Sequence, residues 1–225
     1  MDRARDIAIY RHGMPGSPVD PALVSGWLSA RSVCRGLPLP INDRGGFRVD
    51  TNLPNETRRW VFPELCEGLG AVGREVTLPR HFIKLCGTPE DLRAALPARW
   101  QLQPQSYFMI ADDRDPSPTP LPEGYRLQCD RSGPRMAARV DAPDGTLAAS
   151  GYAAEAMGVF IYDRIETAPE HRRKGLGRII MNALKAQRKS TSAPELLVAT
   201  EDGRRLYASL GWTILSPYST AVIAG

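Results

Sequence analysis

Between Thr167 and Arg178 the chain reads Thr-Ala-Pro-Glu-His-Arg-Arg-Lys-Gly-Leu-Gly-Arg. A strand-like run, Gly158 to Thr167, leads into it. After it, Leu176, Ile179, Ile180, Ala183 and Leu184 recur at the i, i+3, i+4, i+7, i+8 spacing of a helix that faces a core. Strand, proline turn, glycine-bearing basic loop and helix start therefore follow one another. The first amides of a helix have no acceptor within it, and the positive end of its dipole points the same way. Gly175 and Gly177 let an anion approach the backbone, and Arg172, Arg173, Lys174 and Arg178 add charge. The chemistry this arrangement offers is phosphate or pyrophosphate binding. It is not a Walker A loop, because no Ser or Thr follows a Gly-Lys pair. Nor is it the dinucleotide fingerprint, which would need a third glycine where Ile180 stands.

A second block, Asp202-Gly203-Arg204-Arg205-Leu206-Tyr207-Ala208-Ser209-Leu210-Gly211-Trp212, lies downstream at a distance that fits a helix, a strand and a second helix. Arg172-x-x-Gly175-x-Gly177 after the Pro169-Glu170 turn, followed by the Leu-Tyr and Leu-Gly-Trp of this block, resembles the acyl-CoA signature of the GNAT superfamily of N-acetyltransferases. The resemblance covers roughly residues 124–225. It implies an α/β (α+β) fold with a mixed, mostly antiparallel central sheet and flanking helices. It also implies that acetyl-CoA is the acyl donor. The pantetheine would run along Ile165, Glu166 and Thr167, and the pyrophosphate would rest on the stretch from Arg172 through Arg173, Lys174, Gly175, Leu176 and Gly177 to Arg178.

An amine must be neutral to attack a thioester, so the chemistry needs a proton acceptor, donors that polarise the carbonyl and an acid for the departing thiolate. Tyr207 occupies the position of the family's usual acid; the alternative is that it merely packs or hydrogen-bonds the coenzyme A sulfur. Asp163 lies nine residues before Arg172, where some polyamine-type members place a substrate-facing glutamate, and is the first candidate for the base. On a regular strand it shares a face with Ile161 and Ile165, whereas Glu166 points the other way and ranks second. Asp163 could instead pair with an arginine, and a water chain could replace both. Two positions depart from the family pattern: Thr200 stands where many members have Asn, and Gly203 where many have Ala. The interval Asp130–Pro134 is too short for the two helices that normally cover the acceptor site. Those helices must be absent or supplied by residues 1–111.

The first half carries no chemical signature, and no internal repeat stands out along the chain. Asp20-Pro21 predicts a helix start and Gly36 its end, with Leu23, Val24, Trp27 and Leu28 on one face. Strands are predicted at Gly46–Thr51, Arg58–Phe62, His81–Cys86 and Ser106–Ala111, and helices over 64–76 and from Thr88-Pro89. The alternating prolines Pro116, Pro118, Pro120 and Pro122 predict a stiff linker over 112–123. It would separate an α+β N-terminal region (1–111), placed to shape the acceptor pocket, from a catalytic domain (124–225). In the second half, strands are expected at Tyr125–Cys129, Met136–Val140, Thr146–Tyr152, Gly158–Thr167, Glu195–Thr200 and Thr213–Ile223, and helices at Gly175–Arg188 and Asp202–Leu210.

The chain has 225 residues with formal net charge +4. Residues 1–123 are balanced, so the whole surplus lies in the second half, seven cations without an acid falling within 172–194. A charge cluster that local suits a small anion better than a nucleic acid, whose binders spread charge over a face. The four cysteines show no CxxC spacing and the chain holds only three histidines, so no metal is expected. No apolar run is long enough for a membrane helix and Met1–Asp6 does not open a signal peptide, which points to the cytoplasm. The expected activity is acetyl transfer from acetyl-CoA to a primary amine of a small molecule (an amine, amino acid or antibiotic). A homodimer is the working assembly, with neither membrane nor nucleic acid as partner. Protein or aminoacyl-tRNA N-acetylation, and a non-catalytic acyl-CoA sensor, stand as alternatives.

Overall fold

A computed structural model describes residues 18–112 and 118–224. His12, Met1–Asp6 and Pro116 lie outside the described residues. The first half contains α1 (Pro21–Arg35), β1 (Ile41–Asp43), β2 (Gly46–Val49), β3 (Arg58–Phe62), α2 (Glu67–Glu75), β4 (His81–Cys86), α3 (Pro89–Ala95), β5 (Trp100–Leu102) and β6 (Ser106–Ala111). The second half contains β7 (Arg126–Ser132), β8 (Arg135–Asp141), β9 (Leu147–Ala156), β10 (Val159–Thr167), α4 (Leu176–Lys185), β11 (Glu195–Thr200), α5 (Glu201–Ser209) and β12 (Trp212–Ile223). The predicted elements are found to within a few residues at their ends. The short strands β1 and β5 carry too few apolar residues to announce themselves.

The strands form one sheet in the order β1-β2-β3-β4-β12-β6-β11-β10-β9-β8-β7, with β5 pairing on β12. Among these pairs only β3–β4 and β10–β11 are parallel. Each parallel pair is joined by a helix, α2 or α4, and followed by another, α3 or α5. The order is therefore nearly palindromic about the antiparallel β6–β12 pair. A topological repeat absent from the sequence reading emerges: β2-β3-α2-β4-α3-β6 matches β9-β10-α4-β11-α5-β12. The last strands are exchanged, β6 pairing with β11 of the second half and β12 with β4 of the first. Hydrogen bonding thus runs unbroken across the boundary proposed at 112–123. The described end of the Pro-rich segment also packs on the second half, Leu121 against its core and Thr119 beside Gly175.

Alternation in the central strands divides the core between two faces. Phe160 and Tyr162 pack with Ile179, Ile180 and Leu184 of α4 on one face. Ile161, Val159 and Ala154 pack with Val24, Trp27 and Leu28 of α1 on the other. Asp20 caps α1, its Oδ1 accepting from the Ala22 amide at 2.7 Å, and Gly36 ends it in the left-handed region at φ 65°. The helix lies so close to the β9–β10 hairpin that a Cβ on Gly26 would meet Val159 Cγ1 at 3.0 Å. β7 and β8 are joined by a tight turn, and α1 lies over β9 and β10 where covering helices are missing from the second half.

Candidate functional site

β10 and β11 pair only at Phe160–Glu195 and Ile161–Leu196, then diverge. Two features hold them apart. On its other edge β10 stays paired with β9, but the register shifts between Asp163 and Glu166, and Arg164 adopts φ 52°. β11 is drawn instead to β6, pairing through Thr200–Ser106. Backbone left without a strand partner in this way is free to bond a ligand.

A cleft of about 960 Å³ opens along this edge and continues to the start of α4. Gly175 caps that helix at φ 75° with no side-chain cap, which leaves the first amides of the helix facing the cleft. Ile165, Glu166, Thr167, Arg172, Arg173, Gly175, Leu176, Gly177 and Arg178 all line it. Lys174 does not: its Nζ donates to the Tyr125 hydroxyl at 2.7 Å, and that hydroxyl lies 3.0 Å from His171 Nδ1. The rest of the basic cluster is also spent elsewhere. Lys185 and Arg188 pair with Glu195, and Lys189, whose backbone amide donates to Glu155, does not line the cleft. The cationic contribution to the cleft thus comes from Arg172, Arg173 and Arg178. Aligned amides, a glycine at the turn and three guanidinium groups suit a pyrophosphate, and the long cleft suits a chain attached to it.

A second cavity, of about 340 Å³, adjoins the first on the α1 side. The two share Ile165, Glu166, Thr200 and Gly203. Thr200 caps α5, accepting from the Gly203 amide at 3.2 Å, and so does a structural task. A Cβ on Gly203 would lie 3.2 Å from the Tyr207 ring, so the small residue leaves this tyrosine its place. Tyr207 lines the second cavity, is 7% exposed and packs on Trp212 at 6.0 Å. Burial pushes its phenol up to about 12.

The two acidic candidates stand in different surroundings. Asp163 accepts from Arg35 Nε at 2.6 Å and Nη2 at 2.7 Å, with Arg164 at 3.3 Å and Arg31 at 3.7 Å. Burial alone would raise its carboxyl, but the Arg35 hydrogen bonds and the charges of Arg31, Arg35 and Arg164 outweigh that, and the net shift is downward. A carboxylate so held is a poor proton acceptor. Glu166 is exposed, and its carboxylate makes no hydrogen bond or ion pair among the described residues. The expectation that the two acids face opposite ways fails, because the irregularity at Arg164 breaks the two-residue alternation and both line the second cavity. Sequence reasoning also missed Arg31 and Arg35, which come from α1 in the other half of the chain.

The equivalent place in the first repeat is closed. β3 and β4 stay paired from Arg58–His81 to Phe62–Leu85. The connecting loop keeps Pro63-Glu64 and Gly68-Leu69-Gly70 but reads Leu-Cys-Glu where the second half has His-Arg-Arg-Lys. A Cβ on Gly68 would stand 1.8 Å from the Arg44 carbonyl oxygen, so backbone fills the space an anion would need.

Residues 137–214 match the family model described as an acetyltransferase (GNAT) domain. Among curated proteins none matches the sequence. The fold is similar to that of a GCN5-related N-acetyltransferase from Kribbella flavida, with TM-score 0.62 at 14% identity over 91% of this chain and 96% of that one. A GCN5-related N-acetyltransferase from Sphaerobacter thermophilus gives 0.55 at 11% identity, over 92% and 95%. A tandem GNAT protein from the clavulanic acid biosynthesis pathway gives 0.51 at 13% identity, over 99% and 94%. Residues 137–214 therefore match the GNAT acetyltransferase domain, within a chain whose overall fold is similar to that of the GNAT structures.

Proposed function

We propose that this protein moves an acetyl group from acetyl-CoA to the primary amine of a small molecule, by direct attack with both substrates bound. The observation that carries this is the meeting of the two cavities at Ile165, Glu166, Thr200 and Gly203, with Glu166 and Tyr207 beside the junction. Acetyl-CoA supplies the activated thioester. The amides at the start of α4 with Arg172, Arg173 and Arg178 hold its pyrophosphate, and the free edge of β10 orients its pantetheine. Glu166, exposed and unpaired among the described residues, takes the proton that the amine loses. The amine nitrogen bonds to the acyl carbon, the carbon–sulfur bond breaks, and the sulfur leaves with the electron pair. Tyr207, whose phenol stays protonated because burial holds it near 12, gives the sulfur its proton. Asp163 anchors Arg35 rather than shuttling protons. A cavity of about 340 Å³ lies at the small end of ligand sites, which supports a small acceptor over a protein or a tRNA.

The test is thiol release from acetyl-CoA against amines, amino acids, aminoglycosides and peptides, with calorimetry for coenzyme A binding. Release that requires an amine and falls in Tyr207→Phe supports transfer. Tight coenzyme A binding without turnover on any acceptor would favour a sensor, and no binding would overturn the reading.

A further inference from the structure

The second cavity is lined by more cationic than anionic side chains: Arg31, Arg35 and Arg164 against Asp163 and Glu166. These arginines are not equivalent. Arg35 is spent on Asp163, which it holds through two hydrogen bonds. Arg164 stacks on Tyr152 with its guanidinium carbon 4.1 Å from the ring centroid, in an orientation forced by the irregular strand. Arg31 lies over the Trp27 ring at 5.7 Å and approaches Asp163 only to 3.7 Å. Its side chain is 16% exposed, and it makes no hydrogen bond among the described residues. A guanidinium carries five donors in a planar fork, and leaving them unpaired in a part-buried site is costly.

The surroundings reinforce this. Arg31 is held below its ordinary range by burial first and by the charge of Arg35 second. Lys84, on β4, is held down to about 8 by burial, then by the charges of Arg31 and Arg35. The cations under α1 thus destabilise one another. From the first half Glu56, itself pushed up by burial and paired with Arg59, stands against them. An anion placed on Arg31 would relieve that field.

We infer that the acceptor carries a carboxylate beside its amine, so that Arg31, aided by Arg164, binds the carboxylate while the amine reaches Glu166 at the cavity junction. The substrate class is that of a free amino acid. This rests on the acetyl-transfer reading and deepens it. The planar fork of Arg31 matches a carboxylate, and about 340 Å³ holds an amino acid with its acetyl group but little more.

The experiment compares the twenty common amino acids with the amines that lack only the carboxylate, and with ethanolamine phosphate against ethanolamine, in full-length protein. Two readouts are taken: kcat/KM for thiol release, and the rise in melting temperature that each compound gives at saturating coenzyme A. At least one amino acid should exceed its decarboxylated counterpart by about tenfold to a hundredfold in kcat/KM, the range of a lost charge-assisted hydrogen bond. It should also raise the melting temperature where its counterpart does not. Arg31→Gln should flatten that ratio and leave the KM for acetyl-CoA unchanged. Arg31→Lys, which keeps the charge without the fork, should recover part of it. Equal or better use of the decarboxylated amines would overturn the inference while leaving acetyl transfer intact. A preference for the phosphorylated amine alone would overturn the carboxylate assignment. If nothing turns over, stabilisation by coenzyme A with none by any amino acid also overturns it. Loss of coenzyme A binding itself counts against the transfer reading instead.

Discussion

Arg35 and Asp163 stand 128 residues apart in the chain and meet through two hydrogen bonds, Nε to Oδ2 at 2.6 Å and Nη2 to Oδ1 at 2.7 Å. The pair fastens α1, from the first half, to the strand that borders the cleft in the second. Removing the carboxylate leaves Arg35 part-buried without its ion partner. Asp163→Asn should cost about 2–3 kcal/mol in urea unfolding, less than a fully buried pair because Arg35 keeps 26% exposure. Because the folded carboxyl lies below its ordinary value, its stabilisation is full above the unfolded value of about 3.9 and fades as pH falls through the lower folded one. The acid limb of the wild-type stability curve should therefore flatten in Asp163→Asn. An unchanged limb would sink the pairing.

Glu166→Gln keeps the shape of the side chain and removes the proton acceptor. It should lower kcat by about 10²- to 10⁴-fold and leave the KM for acetyl-CoA within about twofold. Asp163→Asn, corrected for its folded fraction, should stay far more active. The reverse order in steady-state kinetics would restore Asp163 as the base.

Tyr207→Phe removes a hydroxyl and keeps the ring that packs on Trp212. Its melting temperature should stay close to wild type, while kcat falls by about 10²-fold, the loss expected for a general acid. If kcat holds, Tyr207 only fills space.

Gly175 occupies φ 75°, and an added Cβ would meet Thr119 Cγ2 at 3.1 Å. Gly175→Ala should weaken coenzyme A binding by calorimetry and cost about 1 kcal/mol of stability from the left-handed backbone. Arg172→Ala should weaken coenzyme A binding too, with little change in stability, because among the described residues its side chain reaches only the Thr167 carbonyl, at 3.4 Å. Affinity unchanged in both variants would remove the pyrophosphate from this loop.

Lys84 sits with its ammonium 3.2 Å from Thr220 Oγ1, near the Phe82 and Tyr218 rings, and loses its proton in the folded state near pH 8. An unfolded lysine keeps its proton to about pH 10.4. Between these values the unfolded state binds more protons, so this residue's contribution makes stability rise with pH. Lys84→Met should remove that rise between pH 8 and 10 and raise stability at neutral pH. A slope unchanged in thermal or urea unfolding would mean that Lys84 stays charged.

Local chemistry in the sequence determined the elements and the loop that lines the long cleft. Caps at Asp20 and Thr88, the glycine at 36, the helical period after Gly175 and the strand alternation are written in neighbouring residues. So is the basic glycine loop, because a phosphate cradle is built from consecutive amides. Tertiary structure decided the rest. The exchange of β6 and β12 joins strands about a hundred residues apart, and its pattern lies in pairing, which single-residue composition does not encode. The repeat stayed hidden because the first copy lacks the arginines that would mark it. The irregularity at Arg164 turned Asp163 and Glu166 to one side, which a two-residue period cannot foresee. The bond from α1 then settled which acid is held and which is free: Arg35 reaches Asp163 only because the whole sheet places that helix over β10.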